Sequence, residues 1–137
     1  MGSLLDAGLP LESLLVEVQK LELPNVEIRA RSVEKHGISA TKVDVLTKET
    51  GKHRHLGDVL ELLDRCPTHG KIRSDARKIF QNLARAEAEV HGASPETVVF
   101  HEIGAMDAIV DVLGTLICLD LLYVERVYAS VIRFGRG

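Results

Sequence analysis

Tryptophan is absent from this 137-residue chain, and aromatic residues make up only 4% of it. A core must therefore be built from Leu, Val, Ile and Ala. The two cysteines, Cys66 and Cys118, are far apart and form no CxxC pair. That excludes a disulfide framework and a zinc ribbon, and a reducing, cytoplasmic setting is expected. There is no surplus of positive charge: 17 Lys and Arg stand against 20 Asp and Glu, for a net charge of −3. Such a balance does not suit a nucleic-acid backbone, so no nucleic-acid partner is expected. Long apolar runs are missing too. The stretch from Ile109 to Leu122 is broken by Asp111 and Asp120, too short and too acidic to span a bilayer. The opening MGSLLDAGLP has neither the basic nor the long apolar region of a signal peptide. No Gly-rich phosphate loop, GxSxG elbow or Walker pattern occurs.

What remains is the composition of a folded domain, 45% hydrophobic and 27% charged, with a single domain expected over residues 1–137. The chain starts inside an apolar helical pattern and ends at RFGRG after a strand-like run. We therefore expect an internal fragment of a larger protein.

The pattern along the chain is mixed. Ser3 to Ala7 reads as the last turn of a helix closed by Gly8. Pro10 opens a second, with Leu11, Leu14, Leu15, Val18 and Leu21 on one face until Pro24 and Asn25 break it. Val26 to Glu34 alternates, His36-Gly37 supplies a turn, and Ile38 to Thr47 alternates again, predicting an antiparallel hairpin. Lys48 to Lys52 is a polar loop. A short helix is expected over Asp58–Arg65, ended by Pro67. A longer one carries the stripe Ile72, Ala76, Ile79, Phe80, Leu83, Ala86 and Val90, closed by Gly92. Ser94-Pro95-Glu96 resembles one further helical turn, and Val98 to Phe100 a short strand. Ala105 to Leu122 is apolar on most sides and should be a sandwiched helix, and Arg126 to Phe134 reads as a final strand. These elements predict an α/β fold, a partial domain whose mixed sheet includes an antiparallel hairpin packed against helices.

Two constellations could carry chemistry. Asp107 and Asp111 lie one helical step apart and share a face of an otherwise apolar helix, with His101 and Glu102 just upstream. An apolar setting makes paired carboxylates costly unless a cation, proton or hydrogen bond offsets them. They are a metal seam, or else Asp107 serves the helix dipole and the seam faces solvent. His53 and His55, in KHRHL, are two apart and project to one side of an extended segment, a pair suited to nickel, zinc or copper. Alternatively they belong to a solvated loop, with Lys52 and Arg54 on its other side. His36, His69 and His91, at turns and helix ends, read as structural or surface residues. Neither cysteine has a basic cluster to make it a nucleophile.

The stretch VVFHEIGAMDAIVDVLG, with LDLLYVERVYAS and RFGRG after it, resembles the LarC family of nickel-insertion proteins. GISATKVDV, KHRHLGDV and ARKIFQNLARAEAEVHG resemble the same family in the same order, so the likeness covers nearly the whole chain. The resemblance implies a metallochelatase of the lyase class. It would use CTP, with Mg or Mn, to insert nickel into pyridinium-3,5-bisthiocarboxylic acid mononucleotide, making a nickel-pincer cofactor. It also puts His101, Glu102, Asp107 and Asp111 in one characteristic family segment and His53 and His55 in another. All six are expected metal contacts; catalytic and cofactor-binding residues are not assigned. Family members usually begin with a strand and a DCFSG-type element, often carry a His-rich insert before HRHL, and continue into a part associated with CTP. None of these is in the sequence, so the chain alone is not expected to catalyse insertion. Two other classes stay open: a scaffold or homo-oligomerisation domain built on the apolar helix, and a metal-dependent hydrolase with Glu102 as general base.

Overall fold

The computed structural model describes residues 1–49, 53–100, 103–132 and 135. The elements run α1 (Gly2–Asp6), α2 (Leu11–Lys20), β1 (Val26–Lys35), β2 (Ile38–Thr47), β3 (Arg54–His55), α3 (Leu56–Arg65), α4 (Gly70–His91), β4 (Val99–Phe100) and α5 (Met106–Leu121).

β1 and β2 pair antiparallel from Val26↔Thr47 to Lys35↔Ile38. The two-residue turn needs positive φ at both positions, and His36 and Gly37 adopt 53° and 77°. Alternation gives the hairpin one inner face: Ile28 is buried, and Ala30, Val43 and Val45 are partly so. That face lies on the helices. α1 is tied to the far strand by Asp6, whose carboxylate accepts from the Thr41 hydroxyl at 2.6 Å and the Thr41 N–H at 3.0 Å.

The centre of the molecule is α5. Its buried residues are Met106, Ile109, Val110, Leu113, Gly114, Ile117 and Cys118, on more than one face. It packs against α1, α2, α4 and β2, the sandwiched position that its near-uniform apolarity predicts. Both cysteines are buried free thiols, and burial pushes both above the usual thiol range. They are therefore packing residues, not nucleophiles.

α4 is long and amphipathic, and it ends as expected. Gly92 turns left-handed (φ 62°), and the Ala93 N–H donates to the Ala88 carbonyl. Its buried stripe differs from the predicted one: it runs Ile72, Ala76, Phe80, Ala84, Ala88, while Ala86 is exposed and Val90 is 80% exposed. A strict four-residue step carries the stripe to the small residues Ala84 and Ala88, which suit close approach of a neighbouring helix. α3 begins two residues before the predicted start, and the Ser94-Pro95-Glu96 turn is a single turn closed on the Ser94 carbonyl.

The α/β class and the hairpin packed on helices are as expected. Among the described residues both ladders are antiparallel: β1–β2, and a second two-stranded pair, β3–β4. One predicted element is corrected. Residues 126–132 form no strand and pair with neither two-stranded sheet, and an extended segment becomes a strand only by pairing; Arg133 and Phe134 lie outside the described residues. Among the described residues no helix is long and apolar enough to cross a membrane.

Candidate metal centre

The second ladder joins the two segments singled out in the sequence. In β3–β4, Arg54 pairs with Phe100 and His55 with Val99. The HRH segment thus lies alongside the strand that leads into the residues 101–102. His101 and Glu102 themselves lie outside the described residues.

Alternation along β3 separates its side chains. His53 and His55 are exposed, while Arg54 between them is 3% exposed. This corrects the expectation of Arg54 on the solvated side of a loop; Lys52 lies outside the described residues. The buried guanidinium is fully engaged. One terminal nitrogen donates to the Gly104 carbonyl at 2.6 Å, and the other to both Glu49 carboxylate oxygens at 2.7 Å. A short, charge-assisted pair of this kind, one nitrogen shared between two carboxylate oxygens, compensates a buried arginine. Gly104 leaves it room. A methyl group there would stand 2.8 Å from the Phe100 Cβ and 3.2 Å from the Arg54 Cβ.

His55 is oriented twice over. Its backbone N–H donates to the Asp58 carboxylate at 2.8 Å, at the start of α3. Its ring Nδ1 lies 3.1 Å from the Val98 carbonyl oxygen. A carbonyl can only accept, so this contact is a hydrogen bond in the tautomer that carries its hydrogen on Nδ1, and in that tautomer Nε2 keeps the lone pair. Metal-binding imidazoles are typically held in this way, with one nitrogen donating to a backbone oxygen and the other turned to the ion.

The acidic pair is exposed at the start of α5. Asp107 sits in the first turn and accepts the Ala108 N–H at 2.8 Å, the use a helix N-terminus makes of a carboxylate. Asp111 follows one turn on. Its side chain reaches solvent, but the packed surface around it removes part of its hydration and pushes its carboxyl above the usual range; the amino terminus opposes this, and the charge of Asp107 adds to it. The sign of the consequence is clear. A carboxyl raised in the fold costs stability once ionised, and the cost disappears as the pH falls below its unfolded value. Asp111→Asn is therefore expected to raise the unfolding free energy at about pH 7 and to give almost no gain near pH 3. Urea titrations at the two pH values check this, and an equal gain at both would contradict it.

Gly104, held by Arg54, precedes Asp107 by only three residues, so the HRH segment and the start of α5 are neighbours. Among the described residues, however, no three His, Cys, Asp or Glu side chains stand together as a group able to hold a metal ion. Beside the Arg54–Glu49 pair lies a cleft of about 500 Å³ with Leu21, Leu62, Cys66 and Met106 among its lining. Carboxylates outnumber guanidinium groups around it, which disfavours a phosphate-bearing ligand. Arg54, Glu49 and Gly104 were missed in the sequence. The one available signal was the alternation that faces both histidines outward and so turns Arg54 in.

The sequence model of the family described as "Nickel insertion protein" matches residues 1–137. The chain belongs to that family. A relative in Geobacter sp. (strain M21) is 43% identical over 138 residues. The pyridinium-3,5-bisthiocarboxylic acid mononucleotide nickel insertion proteins of Acetivibrio thermocellus and Geobacillus kaustophilus are 39% identical over 146 residues and 37% over 147. In each case the whole of this chain is matched, and it spans 36% of the relative's length. No solved structure matches it.

Proposed function

We propose that this chain is a nickel-handling part of a protein that inserts nickel into pyridinium-3,5-bisthiocarboxylic acid mononucleotide. Nickel is the cargo, and CTP with Mg or Mn would be used by the whole protein. The candidate nickel contacts are His53, His55, His101, Glu102, Asp107 and Asp111. One observation carries the reading: the ring Nδ1 of His55 lies 3.1 Å from the Val98 carbonyl oxygen, the backbone contact that orients metal-binding imidazoles, and the side chain is exposed. Two features support a site extending beyond it. The β3–β4 ladder runs into residues 101–102, and Asp111 carries a carboxylate whose ionisation a nearby cation would favour.

Chemically, a delivery site has to release its metal. A few imidazole and carboxylate ligands hold nickel less tightly than a closed thiolate cage, and the thiocarboxylate sulfurs of the mononucleotide are softer donors to which it can pass. His55 would supply nitrogen, Asp111 charge. The two cysteines, buried and protonated, are not competing ligands.

Calorimetric titration with nickel tests the proposal. The wild-type chain is expected to bind, and His53→Ala/His55→Ala to weaken binding by at least about tenfold, the loss expected for removing a ligand or its support. Unchanged binding in the variant removes the HRH segment from the site. A second reading, an oligomerisation domain, draws on the exposed Val127, Tyr128, Val131 and Ile132. Light scattering that detects self-association, with nickel affinity insensitive to the histidines, would favour it.

A further inference from the structure

We propose that Arg54 is a positioning residue that holds the two candidate ligand segments in one register, an inference that rests on the nickel reading above. In the chain it stands between His53 and His55. Across the ladder its backbone pairs with Phe100, and its guanidinium takes the Gly104 carbonyl at 2.6 Å. The two positions it grips therefore bracket His101 and Glu102 in the sequence. A single buried side chain links both segments.

Three observations favour this role over a simple packing one. First, the two terminal nitrogens are held by different partners, one by the Gly104 carbonyl at 2.6 Å and the other by both Glu49 carboxylate oxygens at 2.7 Å, so the group is anchored at both arms. Only the planar fork of arginine makes both contacts; a lysine ammonium cannot. Second, the loop is drawn in so closely at Gly104 that a Cβ would collide with Phe100 and crowd Arg54. Third, a buried ion pair is seldom better for stability than apolar residues of the same size. Aliphatic side chains at positions 49 and 54 together would fill the space but would leave the approach to α5 unregistered against β3. Asp58, which holds the His55 backbone from the other side, completes the fixation of the strand.

The test is nickel(II) titration of the wild-type chain, Arg54→Met, Arg54→Lys and Gly104→Ala, read by calorimetry and by the visible absorption of bound nickel. Circular dichroism establishes that each variant is folded. Arg54→Met is expected to bind roughly tenfold to a hundredfold more weakly, the range for groups that orient metal ligands, and to shift the nickel absorption band. Arg54→Lys should fall between, since it keeps the charge and loses the fork. Gly104→Ala should reproduce the band shift with the arginine still present. A band shift reports a changed ligand set, which mere loosening of the fold would not produce. Folded Arg54→Lys and Gly104→Ala with wild-type affinity and spectrum would overturn the clasp, even if Arg54→Met failed to fold. A wild-type chain that binds no nickel would overturn the nickel reading itself, and with it the metal-positioning role.

Discussion

Phe80→Ala is expected to lose about 3–5 kcal/mol of unfolding free energy, the range for truncating a fully buried aromatic side chain. Phe80 is completely buried, midway along the α4 stripe, and α4 packs against both α3 and α5. Its removal therefore leaves a void among three helices that can close only partly. With aromatic residues at 4% of the chain, few other rings are present to refill the space. Against a total stability on the order of 5–15 kcal/mol, the loss is a large fraction. In urea the midpoint should fall with little change in slope, since the folded and unfolded surfaces stay much the same. Val90→Ala is the control. It lies on the same helix and was placed on the same stripe by the sequence, yet it is 80% exposed and should change stability by less than about 0.5 kcal/mol. Comparable losses at the two positions would contradict the observed course of the stripe.

Arg54→Met is expected to cost about 2–3 kcal/mol. Breaking a fully buried ion pair by removing one member costs about 3–5 kcal/mol. The Glu49 side chain is 25% exposed, so water recovers part of that cost, and the figure is lowered accordingly. The Gly104 carbonyl also loses its donor. Adding Glu49→Gln to Arg54→Met should cost less than the sum of the two single losses, because both substitutions remove the same pair. Urea unfolding of the two singles and the double measures this as a coupling energy. A loss below about 0.5 kcal/mol in Arg54→Met would mean that the guanidinium is not held as described.

These two sites illustrate what was legible in advance. Phe80 was placed in the core from spacing alone, and the hairpin was read with its turn at His36-Gly37, because periodicity and turn chemistry are local properties. The same spacing misled at Ala86 and Val90, because a stripe on a long helix can follow three- or four-residue steps and only the neighbouring helices select between them. The strand expected over Arg126–Phe134 has the composition of a strand, but a strand exists only when another pairs with it, and residues 126–132 have no ladder partner within the described chain. At the candidate site, His53, His55, Asp107 and Asp111 were singled out by residue type and spacing. The orientation of the His55 ring was not, because it depends on a carbonyl 43 residues away. Arg54 looked like one more solvated charge in a basic loop.

The sequence by itself determined the aliphatic core, the hairpin, the apolar central helix and the family, since each is written in local pattern or in an ordered set of motifs. Tertiary structure alone decided that HRH lies against the strand leading to residues 101–102, that Arg54 is buried on Glu49 and Gly104, and that the His55 ring is turned to the Val98 carbonyl. Those facts depend on partners distant in the chain, and side-chain spacing carries no information about a contact that folding has yet to make.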